Sequence, residues 1–301
     1  MDALTLPAGL LARPASRHDI AAITALIAAC ETADDGVVEI HEDDIVNLFD
    51  RIGSEGGVAI VVEESGSIVA WANLVAERAE VDVQPDDRGR GIGRALLGWT
   101  ETRARSAGLI RVRQTVTDGD TASARLFAAS DYANSGSAWI LEQRLGDEPP
   151  AVQVPAGVTL RSFRPSDAPI VHRLIDDAFN EWPGREPVDF ERWSAFITAH
   201  PSFAPDASRL AFDGDELVGV ALAFNYEGND EGWVQQLATK ATHRHRGIAR
   251  ALLQSAFAAF HAAGWRTGAL STESRTGALP LYERVGMHVR RSYTWWVKEL
   301  G

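Results

Sequence analysis

The chain has 301 residues, which is more than one hydrophobic core usually accommodates, so its length predicts two domains of about 150 residues each. Apolar residues make up 45% of the chain and charged residues 24%, as in ordinary globular proteins, which excludes a largely disordered chain. The formal charge of −13 would repel a phosphate backbone, so the composition argues against a nucleic-acid-binding protein.

Cysteine usage and apolar runs bear on the cellular compartment. Cys30 is the only cysteine, so the chain can form neither an internal disulfide nor a thiolate metal cluster, and we interpret Cys30 as a core residue rather than a reactive thiol. The sequence shows no basic leader before an apolar segment and no apolar run of membrane-spanning length. We therefore expect a cytoplasmic protein without a membrane partner, and no histidine or carboxylate spacing predicts a metal site.

The elements predicted from apolar periodicity follow the same order in both halves of the chain. The first half reads as an opening strand, a helix, strands 58–62, 68–74 and 80–83, a helix from 92, strand 112–116, a short helix and strand 137–143. The second half reads as an opening strand, helix 170–179, strands 209–212, 217–224 and 233–239, a helix from 248, strand 268–271, a short helix and strand 292–298. This order predicts an α/β (α+β) fold in which helices flank a mixed sheet in each half.

An internal repeat supports the division into two domains. Residues 88–97 and 244–253 share eight of ten positions at an offset of 156. Between the halves, a proline-rich stretch favours an extended connector. The sequence therefore predicts domains at 1–146 and 157–301, joined by a linker at 147–156.

Each copy of the repeat places glycine and arginine between a strand and a helix. Glycines let the backbone turn its N–H groups toward a diphosphate at the positive end of a helix, and arginines add charge-assisted hydrogen bonds. The arginines in question are Arg88, Arg90, Arg94, Arg244, Arg246 and Arg250. No Gly-Lys-Ser/Thr follows and no third glycine completes a dinucleotide fingerprint, so neither a P-loop nor a Rossmann site is predicted. A solvated turn with surface arginines is the alternative, and the second copy weighs against it.

The segments Arg88-x-x-Gly-x-Gly and Arg244-x-x-Gly-x-Ala resemble the acyl-CoA diphosphate loop of the GNAT superfamily of N-acetyltransferases. Residues 277–287 are similar to the closing helix of that superfamily, with Tyr282 four residues before Gly286. The tandem arrangement resembles that of mycothiol synthase-like proteins. The resemblance implies two tandem GNAT-like domains, each with a mixed sheet whose fourth and fifth strands splay apart to admit acetyl-CoA as co-substrate.

The resemblance also implies which residues hold that co-substrate. Main-chain groups of Leu237, Ala238 and Thr239 would bind the pantetheine arm and the thioester oxygen, as an oxyanion hole made of backbone. The remaining expected contacts are Arg244, His245, Arg246, Gly247, Ile248, Ala249, Arg250 and Ser274 in the second half, and Val81, Val83, Arg88, Gly89, Arg90, Gly91, Ile92, Gly93 and Arg94 in the first.

Tyr282 matches the family's proton donor, which protonates the departing thiolate. The first half has Phe127 at that position and Asp131 opposite Gly286. Because phenylalanine has no proton to give, we expect the N-terminal domain to be catalytically degenerate and the C-terminal domain to be catalytic.

The sequence offers three candidate carboxylates for the general base. Where mycothiol synthase-like proteins carry a glutamate on the fourth strand, this chain has Trp233. Glu231 is two residues earlier on the same strand face and is the first candidate, with Glu227 and Asp230 as alternatives. A solvated carboxylate at a strand end is the competing interpretation of all three.

Trp233 and Ser271 are the candidate substrate contacts. Six of the nine tryptophans lie in the second half, where they either form a wall beside the acyl site or fill the core.

The sequence therefore predicts an N-acetyltransferase that moves an acetyl group from acetyl-CoA to a primary amine of a small molecule or peptide. The proposed mechanism is direct attack in a ternary complex in the C-terminal domain. Two other functions remain open. One is a non-catalytic acyl-CoA-binding sensor or interaction protein, and the other is a mycothiol synthase-like or aminoglycoside-type acetyltransferase.

Overall fold

The computed structural model describes residues 4–182, 185–226 and 230–301. The first half of the chain forms β1 (Leu11–Pro14), α1 (Ile20–Asp34), α2 (Glu42–Glu55), β2 (Val58–Glu64), β3 (Ser67–Val75), β4 (Arg78–Val83), α3 (Ile92–Ser106), β5 (Arg111–Thr117), α4 (Thr121–Ala128) and β6 (Ala133–Arg144). The second half forms β7 (Val158–Ser162), α5 (Ala168–Phe179), α6 (Phe190–Phe196), β8 (Arg209–Asp213), β9 (Glu216–Phe224), β10 (Glu231–Thr239), α7 (Ile248–Ala262), β11 (Thr267–Glu273), α8 (Leu279–Val285) and β12 (His288–Glu299). Within these described parts, none of the helices has the length and apolar character needed to cross a bilayer.

The chain divides into two compact units that are not contiguous halves. Unit 1 comprises the chain up to Ser137 together with Arg291–Gly301, and unit 2 comprises Ala138–Arg290. The expected domains at 1–146 and 157–301 differ from these units at their final strands. Local patterning marks residues 137–143 and 292–298 as strands but carries no information about their partners, because strand pairing is set by contacts distant in sequence.

Unit 1 is a mixed sheet in the order β1-β2-β3-β4-β5-β12. Its pairs are antiparallel except for β4 with β5, and residues 293–299 of β12 pair with residues 111–117 of β5. One face packs under α3 through Ile92, Leu96 and Trp99, and the other packs under α1 and α2 through a cluster that includes Trp71. Helices therefore cover both faces of the sheet, as the sequence predicted.

Unit 2 repeats this architecture in the order β6-β11-β10-β9-β8-β7. The β10 and β11 strands are parallel, and residues 138–144 of β6 pair antiparallel with residues 267–273 of β11. The helix α7 packs on one face with Leu252, Phe257 and Phe260 fully buried, while α5 and α6 pack on the other. Both units thus have the mixed α/β fold that was expected from the repeat.

The two units begin with the same electrostatic cap. In unit 1 the Arg13 guanidinium donates two hydrogen bonds to the buried Asp19 carboxylate, at 2.8 and 2.7 Å, and in unit 2 Arg161 does the same to Asp167 at 2.6 and 2.8 Å. These arginines hold the pKa of both carboxyl groups below their usual range. Each pair ties the first strand of its unit to the start of the following helix.

Candidate active site

The sheet of unit 2 is forked. The β10 strand pairs with β11 only from Glu231 to Trp233, and beyond that point β10 stays with β9 while β11 stays with β6. A register shift between Val234 and Gln236 marks the place where β10 bends away. The sequence-based expectation of splayed strands is confirmed. Along residues 235–239, the edge of β10 that faces the fork has no β11 ladder, so its peptide groups are available to a ligand.

The glycine-arginine loop follows β10 and leads into α7. Gly247 is the N-cap of α7 with φ of +83°, a left-handed conformation that favours glycine. His245, two residues earlier, also has positive φ (+61°), which a side chain makes costly. The loop therefore directs main-chain N–H groups outward at the positive end of a 15-residue helix, as a diphosphate site requires.

The three arginines of this loop have different roles. Arg244 Nε donates to the Thr239 carbonyl at 3.3 Å, and its Nη1 forms an ion pair with Glu181 at 2.6 Å. Arg246 forms an ion pair with Asp213 at 3.1 Å. Arg250 is exposed and has no side-chain partner within the described ranges. Arg244 thus anchors the loop to the end of β10, whereas Arg250 is exposed to solvent.

The end of β10 carries an orphan hydroxyl. Thr239 Oγ1 is buried and has no hydrogen-bond partner among the residues that the structure describes. An unmatched buried polar atom normally costs stability, so it points to a group that the ligand supplies. Ala238 is buried against α5, and Leu237 packs on the α7 side, so what these two residues offer the fork is main chain.

Tyr282 lies on α8 beside the β11 arm of the fork. Its side chain is buried, and burial raises the pKa of the phenol to about 12, while a hydrogen bond with the Thr272 side chain acts in the opposite direction. The phenol consequently stays protonated at neutral pH. A protonated hydroxyl close to a departing thiolate can serve as its proton donor.

Unit 1 has the same fork and loop. Its β4 and β5 pair only at Arg78 and Ala79, and Gly91 caps α3 with φ of +89°. Arg88 repeats the role of Arg244, with Nε donating to the Val83 carbonyl at 3.3 Å and a bidentate ion pair to Asp34. The backbone of the loop is therefore duplicated, and so is the arginine that anchors it.

The fork of unit 1 opens into a cavity of about 320 Å³. Its lining includes the loop, Val81 and Val83 of β4 and Phe127 of α4, together with the carboxylates of Asp82, Asp87 and Asp120. Desolvation raises the pKa of Asp82 to about 7, although Trp71 Nε1 donates to Asp82 Oδ2 at 2.8 Å. In unit 2, Ala238 and His243 stand at the repeat positions of Asp82 and Asp87, so the two forks differ in charge.

Comparison with protein families gives a match to the acetyltransferase (GNAT) family twice, over residues 21–132 and 168–287. The chain belongs to the GNAT acetyltransferase family. Among its relatives, a mycothiol acetyltransferase from Geodermatophilus obscurus is 29% identical over 93% of this chain and 96% of its own length. One from Actinosynnema mirum is 29% identical over 88% of this chain and 90% of its own. This GNAT protein is accordingly an acyl-CoA-dependent acetyltransferase.

Solved structures show the same tandem architecture. A GCN5-related N-acetyltransferase from Sphaerobacter thermophilus is 30% identical, covers 98% of this chain and 97% of its own, and superimposes with a TM-score of 0.84. A tandem GNAT protein from the clavulanic acid biosynthesis pathway is 20% identical with a TM-score of 0.74, over 97% of this chain and 99% of its own. At 20% identity, the similarity to the tandem GNAT protein shows a shared fold alone.

Glu231, the first candidate for the base of this GNAT site, lies in an ion-pair network. Glu231 begins β10 at the closed end of the fork, six residues or about 20 Å of strand before Leu237. Its Oε2 accepts a hydrogen bond from Arg290 Nη1 at 2.6 Å, and Arg290 also pairs with Glu142 at 3.1 Å. A base must lie within hydrogen-bond reach of the proton that it takes, so Glu231 would have to exchange its Arg290 contact for one to the amine. The alternative Asp230 is exposed, and Glu227 lies outside the described residues.

The tryptophans of the second half do not form one wall. Trp233 packs with the α5 and α6 core, where Trp193 is buried and donates its Nε1 proton to Gln236 Oε1 at 3.0 Å. Trp295 and Trp296 belong to β12 residues of unit 1. Core packing therefore explains most of the aromatic enrichment.

The two serines predicted as polar contacts, Ser271 and Ser274, lie in different places. Ser271 is exposed on β11, and Ser274 begins a short 3₁₀ turn after that strand. Sequence reasoning missed Thr272, which is buried on β11 and whose hydroxyl lies 2.8 Å from that of Thr276. Comparison of the two copies could have found it, because unit 1 carries Val116 at that repeat position.

Proposed function

We propose that unit 2 transfers an acetyl group from acetyl-CoA to a primary amine of a small molecule or peptide, by direct attack in a ternary complex. The observation that carries this proposal is the juxtaposition of three features in one unit. They are a forked sheet, a diphosphate-type loop at the end of the forked strand, and a buried phenol beside the fork.

Acetyl-CoA would bind along the β10 arm of the fork. Its diphosphate would accept hydrogen bonds from the main chain of residues 245–249 and meet Arg250, with the dipole of α7 contributing. The pantetheine amides would pair with the open edge of β10, and Thr239 Oγ1 would gain the partner that it lacks. Such an arrangement uses backbone groups for most of the binding, which agrees with the apolar character of Leu237 and Ala238.

The reaction would begin with attack of a neutral amine on the thioester carbonyl. Main-chain N–H groups of β10 would hold the oxygen of the tetrahedral intermediate. On collapse, the C–S bond breaks and Tyr282 gives its proton to the sulfur. Because Arg290 pairs with the Glu231 carboxylate, we propose that the amine loses its proton to water, so that kcat/KM rises with pH until the amine is fully neutral.

Unit 1 would bind an acyl-CoA weakly and without turnover. Its loop and cavity suit the cofactor in shape, but the carboxylates of Asp87 and Asp120 in the lining add negative charge where a diphosphate would approach. Phe127 has no proton to donate to the sulfur. We therefore propose a purely acyl-CoA-binding role for unit 1 alone and not for the whole chain.

The relatives named mycothiol acetyltransferase favour a mycothiol-type acceptor as a second candidate. Against this, Trp233 stands where such proteins carry a glutamate and packs into the core instead. A general amine acceptor is therefore the first candidate.

The proposal is tested by incubating the full chain with acetyl-CoA and a broad amine panel, with release of free thiol and the mass of the product as readouts. We expect thiol release that depends on a primary amine, and a product heavier by one acetyl group. Thermal stabilisation by acetyl-CoA without any amine-dependent thiol release would instead identify a binding protein.

A further inference from the structure

A short segment after α5 spans the mouth of the unit 2 fork. Glu181 contacts the β10 arm, because it pairs with Arg244 at 2.6 Å and Arg244 Nε donates to the carbonyl of Thr239 at the end of β10. Trp182 contacts the β11 arm, because the guanidinium of Arg275, in the turn that follows β11, lies over its indole at 5.1 Å from the ring centroid. Two consecutive residues therefore connect the ends of the two strands that the fork separates.

The guanidinium of Arg275 is held by two neighbours. The indole of Trp182 is itself fixed by the Phe179 ring, which stacks on it with centroids 4.4 Å apart and planes inclined by 16°. The Nε of Arg275 forms an ion pair with the Glu273 carboxylate. The aromatic face attracts the cation, and the ion pair at Nε limits the rotation of the guanidinium plane. The arginine is thus oriented before any ligand arrives.

The two Nη nitrogens of Arg275 remain open to a ligand. Among the residues that the structure describes, none accepts a hydrogen bond from them, and 46% of the side chain is exposed. A guanidinium has five N–H donors, and the ion pair with Glu273 is at Nε, so the four donors on the Nη nitrogens are left. Their planar geometry matches the two oxygens of a carboxylate. The turn after β11 therefore presents an oriented binding group for a carboxylate at the mouth of the fork.

Arg275 lies on the side of the fork from which an acceptor would approach. Acetyl-CoA is proposed to lie along β10 with its diphosphate at the N-terminus of α7, which packs on one face of the unit 2 sheet. The helix α5 packs on the other face, and Trp182 follows its end by three residues. An amine that attacks the thioester must come from the side that the co-substrate leaves open, so it passes the pair of Trp182 and Arg275.

Unit 1 has no room for a side chain at this place. At the offset of 156, the repeat position of Arg275 is Gly119, in the turn after β5. A β-carbon on Gly119 would collide with the carbonyl oxygen of Asp34, the last residue of α1. Helix end and turn therefore meet through backbone in unit 1, whereas in unit 2 they meet through the side chains of Trp182 and Arg275. At this position, the cation belongs to the unit that also carries Tyr282.

We propose that Arg275 is a specificity-determining residue of unit 2, and that the acceptor is an amine that also carries a carboxylate, of which a free amino acid is the simplest. This inference rests on the proposed function, because it assigns the acceptor of that reaction. The carboxylate would accept hydrogen bonds from both Nη nitrogens, which leaves the amino group free to reach the thioester in the fork. Trp182 would act through Arg275, as the surface that orients it.

The test compares free amino acids with their carboxamides, which keep the amine and lose the charge of the carboxylate. With acetyl-CoA saturating, we expect a wild-type KM about 10-fold to 100-fold lower for an amino acid than for its carboxamide, the scale of hydrogen bonds to a charged group. Arg275→Gln should remove this difference by raising KM for the amino acid alone, with KM for acetyl-CoA within about twofold. Because each variant is measured with the same pair of acceptors, their different basicities cancel.

Two further variants complete the series. Trp182→Ala should raise KM for the amino acid by about 2-fold to 5-fold, the scale of an exposed cation–π contact. Arg173→Gln removes an exposed arginine of α5 and should leave all these constants unchanged.

A binding measurement separates this inference from the reaction on which it rests. Calorimetry of the CoA-saturated protein, titrated with an amino acid or its carboxamide, reports carboxylate recognition without turnover. If no amine gives thiol release but the amino acid binds more tightly than its carboxamide, and Arg275→Gln abolishes that preference, the proposed function fails and the carboxylate site stands. If thiol release is normal but wild type and Arg275→Gln treat both ligands alike, the carboxylate site is overturned. A raised KM for acetyl-CoA in Arg275→Gln would overturn it too, since the arginine would then belong to the co-substrate.

Discussion

Units 1 and 2 have the same backbone for an acyl-CoA site but different side chains around it. Both have a parallel pair of strands that separates after two or three residues, a glycine in the left-handed region at the helix N-cap, and an arginine tied to the end of the forked strand. The side chains differ, since Tyr282 and Thr272 of unit 2 correspond to Phe127 and Val116 of unit 1.

Backbone strain is also distributed differently between the copies. Unit 1 has Gly89 where unit 2 has His245 with φ of +61°, and unit 2 has Gly286 where unit 1 has Asp131 with φ of +63°. Each copy therefore retains the left-handed turn even where it has lost the glycine that makes this turn easy. The comparison teaches that the two copies share the main-chain geometry of the loop while differing in the side chains around it.

The largest expected effect concerns the stability of unit 1. Arg291 on β12 is almost fully buried and contacts the carboxylates of Glu31, Asp35 and Glu39, at 2.9 to 3.2 Å. Arg291→Met would leave these carboxylates without their buried cation, so we expect a loss of about 3–5 kcal/mol in the free energy of unfolding of unit 1. Urea unfolding of the full chain measures this loss in the free energy of unfolding.

A matched control comes from the same unit. Arg17 pairs with Asp50 in an exposed position, so Arg17→Met should cost about 1 kcal/mol or less. Equal losses for the two variants would show that the last strand is not fastened to unit 1 through Arg291. This test also requires the full chain, because a fragment ending at residue 146 would lack residues 291–299 of the unit 1 sheet.

A smaller effect should be shared by the two units. The pKa values of Asp19 and Asp167 are lowered by Arg13 and Arg161, so their ionised forms stabilise the fold. This stabilisation is complete above about pH 4, the range of the unfolded carboxyl, and is lost as the pH falls below it. We expect Asp19→Asn and Asp167→Asn each to cost about 1 kcal/mol at pH 7, a modest figure because the arginines are partly exposed.

Urea unfolding at pH 7 and at pH 3.5 measures both variants. Their penalty should shrink at the lower pH, because the two aspartates of the unfolded wild-type chain begin to be protonated there while those of the folded chain stay ionised. A penalty that is the same at both pH values would mean that the two aspartates stabilise the fold by packing and not by their charge.

The fold and the loop could be predicted from the sequence because they are encoded locally. Periodicity marks the strands and helices, and the repeat at residues 88–97 and 244–253 marks the loop twice. The partners of the final strands could not be predicted in this way. Residues 138–144 pair in unit 2 and residues 293–299 in unit 1, and both segments have ordinary strand patterns that fit either sheet.

Only part of the geometry of the candidate site could be predicted from the sequence. The spacing singled out Tyr282, four residues before Gly286, and the structure buries its side chain on α8. Glu231 was chosen by strand periodicity, which gives the face of a strand but not the point where two strands separate or the position of Arg290. Arg244 was expected to bind phosphate, and its actual partners, the Thr239 carbonyl and Glu181, lie at positions that no local pattern connects.

The most direct test of the account is the turnover of Tyr282→Phe, measured as thiol release with acetyl-CoA and an accepted amine. We expect kcat to fall by about 100-fold or more, since the departing thiolate loses its proton donor. Tyr226→Phe, which removes the hydroxyl of an exposed tyrosine in the same unit, should retain full activity. If Tyr282→Phe stays within about threefold of wild type, catalysis does not depend on the residue that distinguishes unit 2 from unit 1.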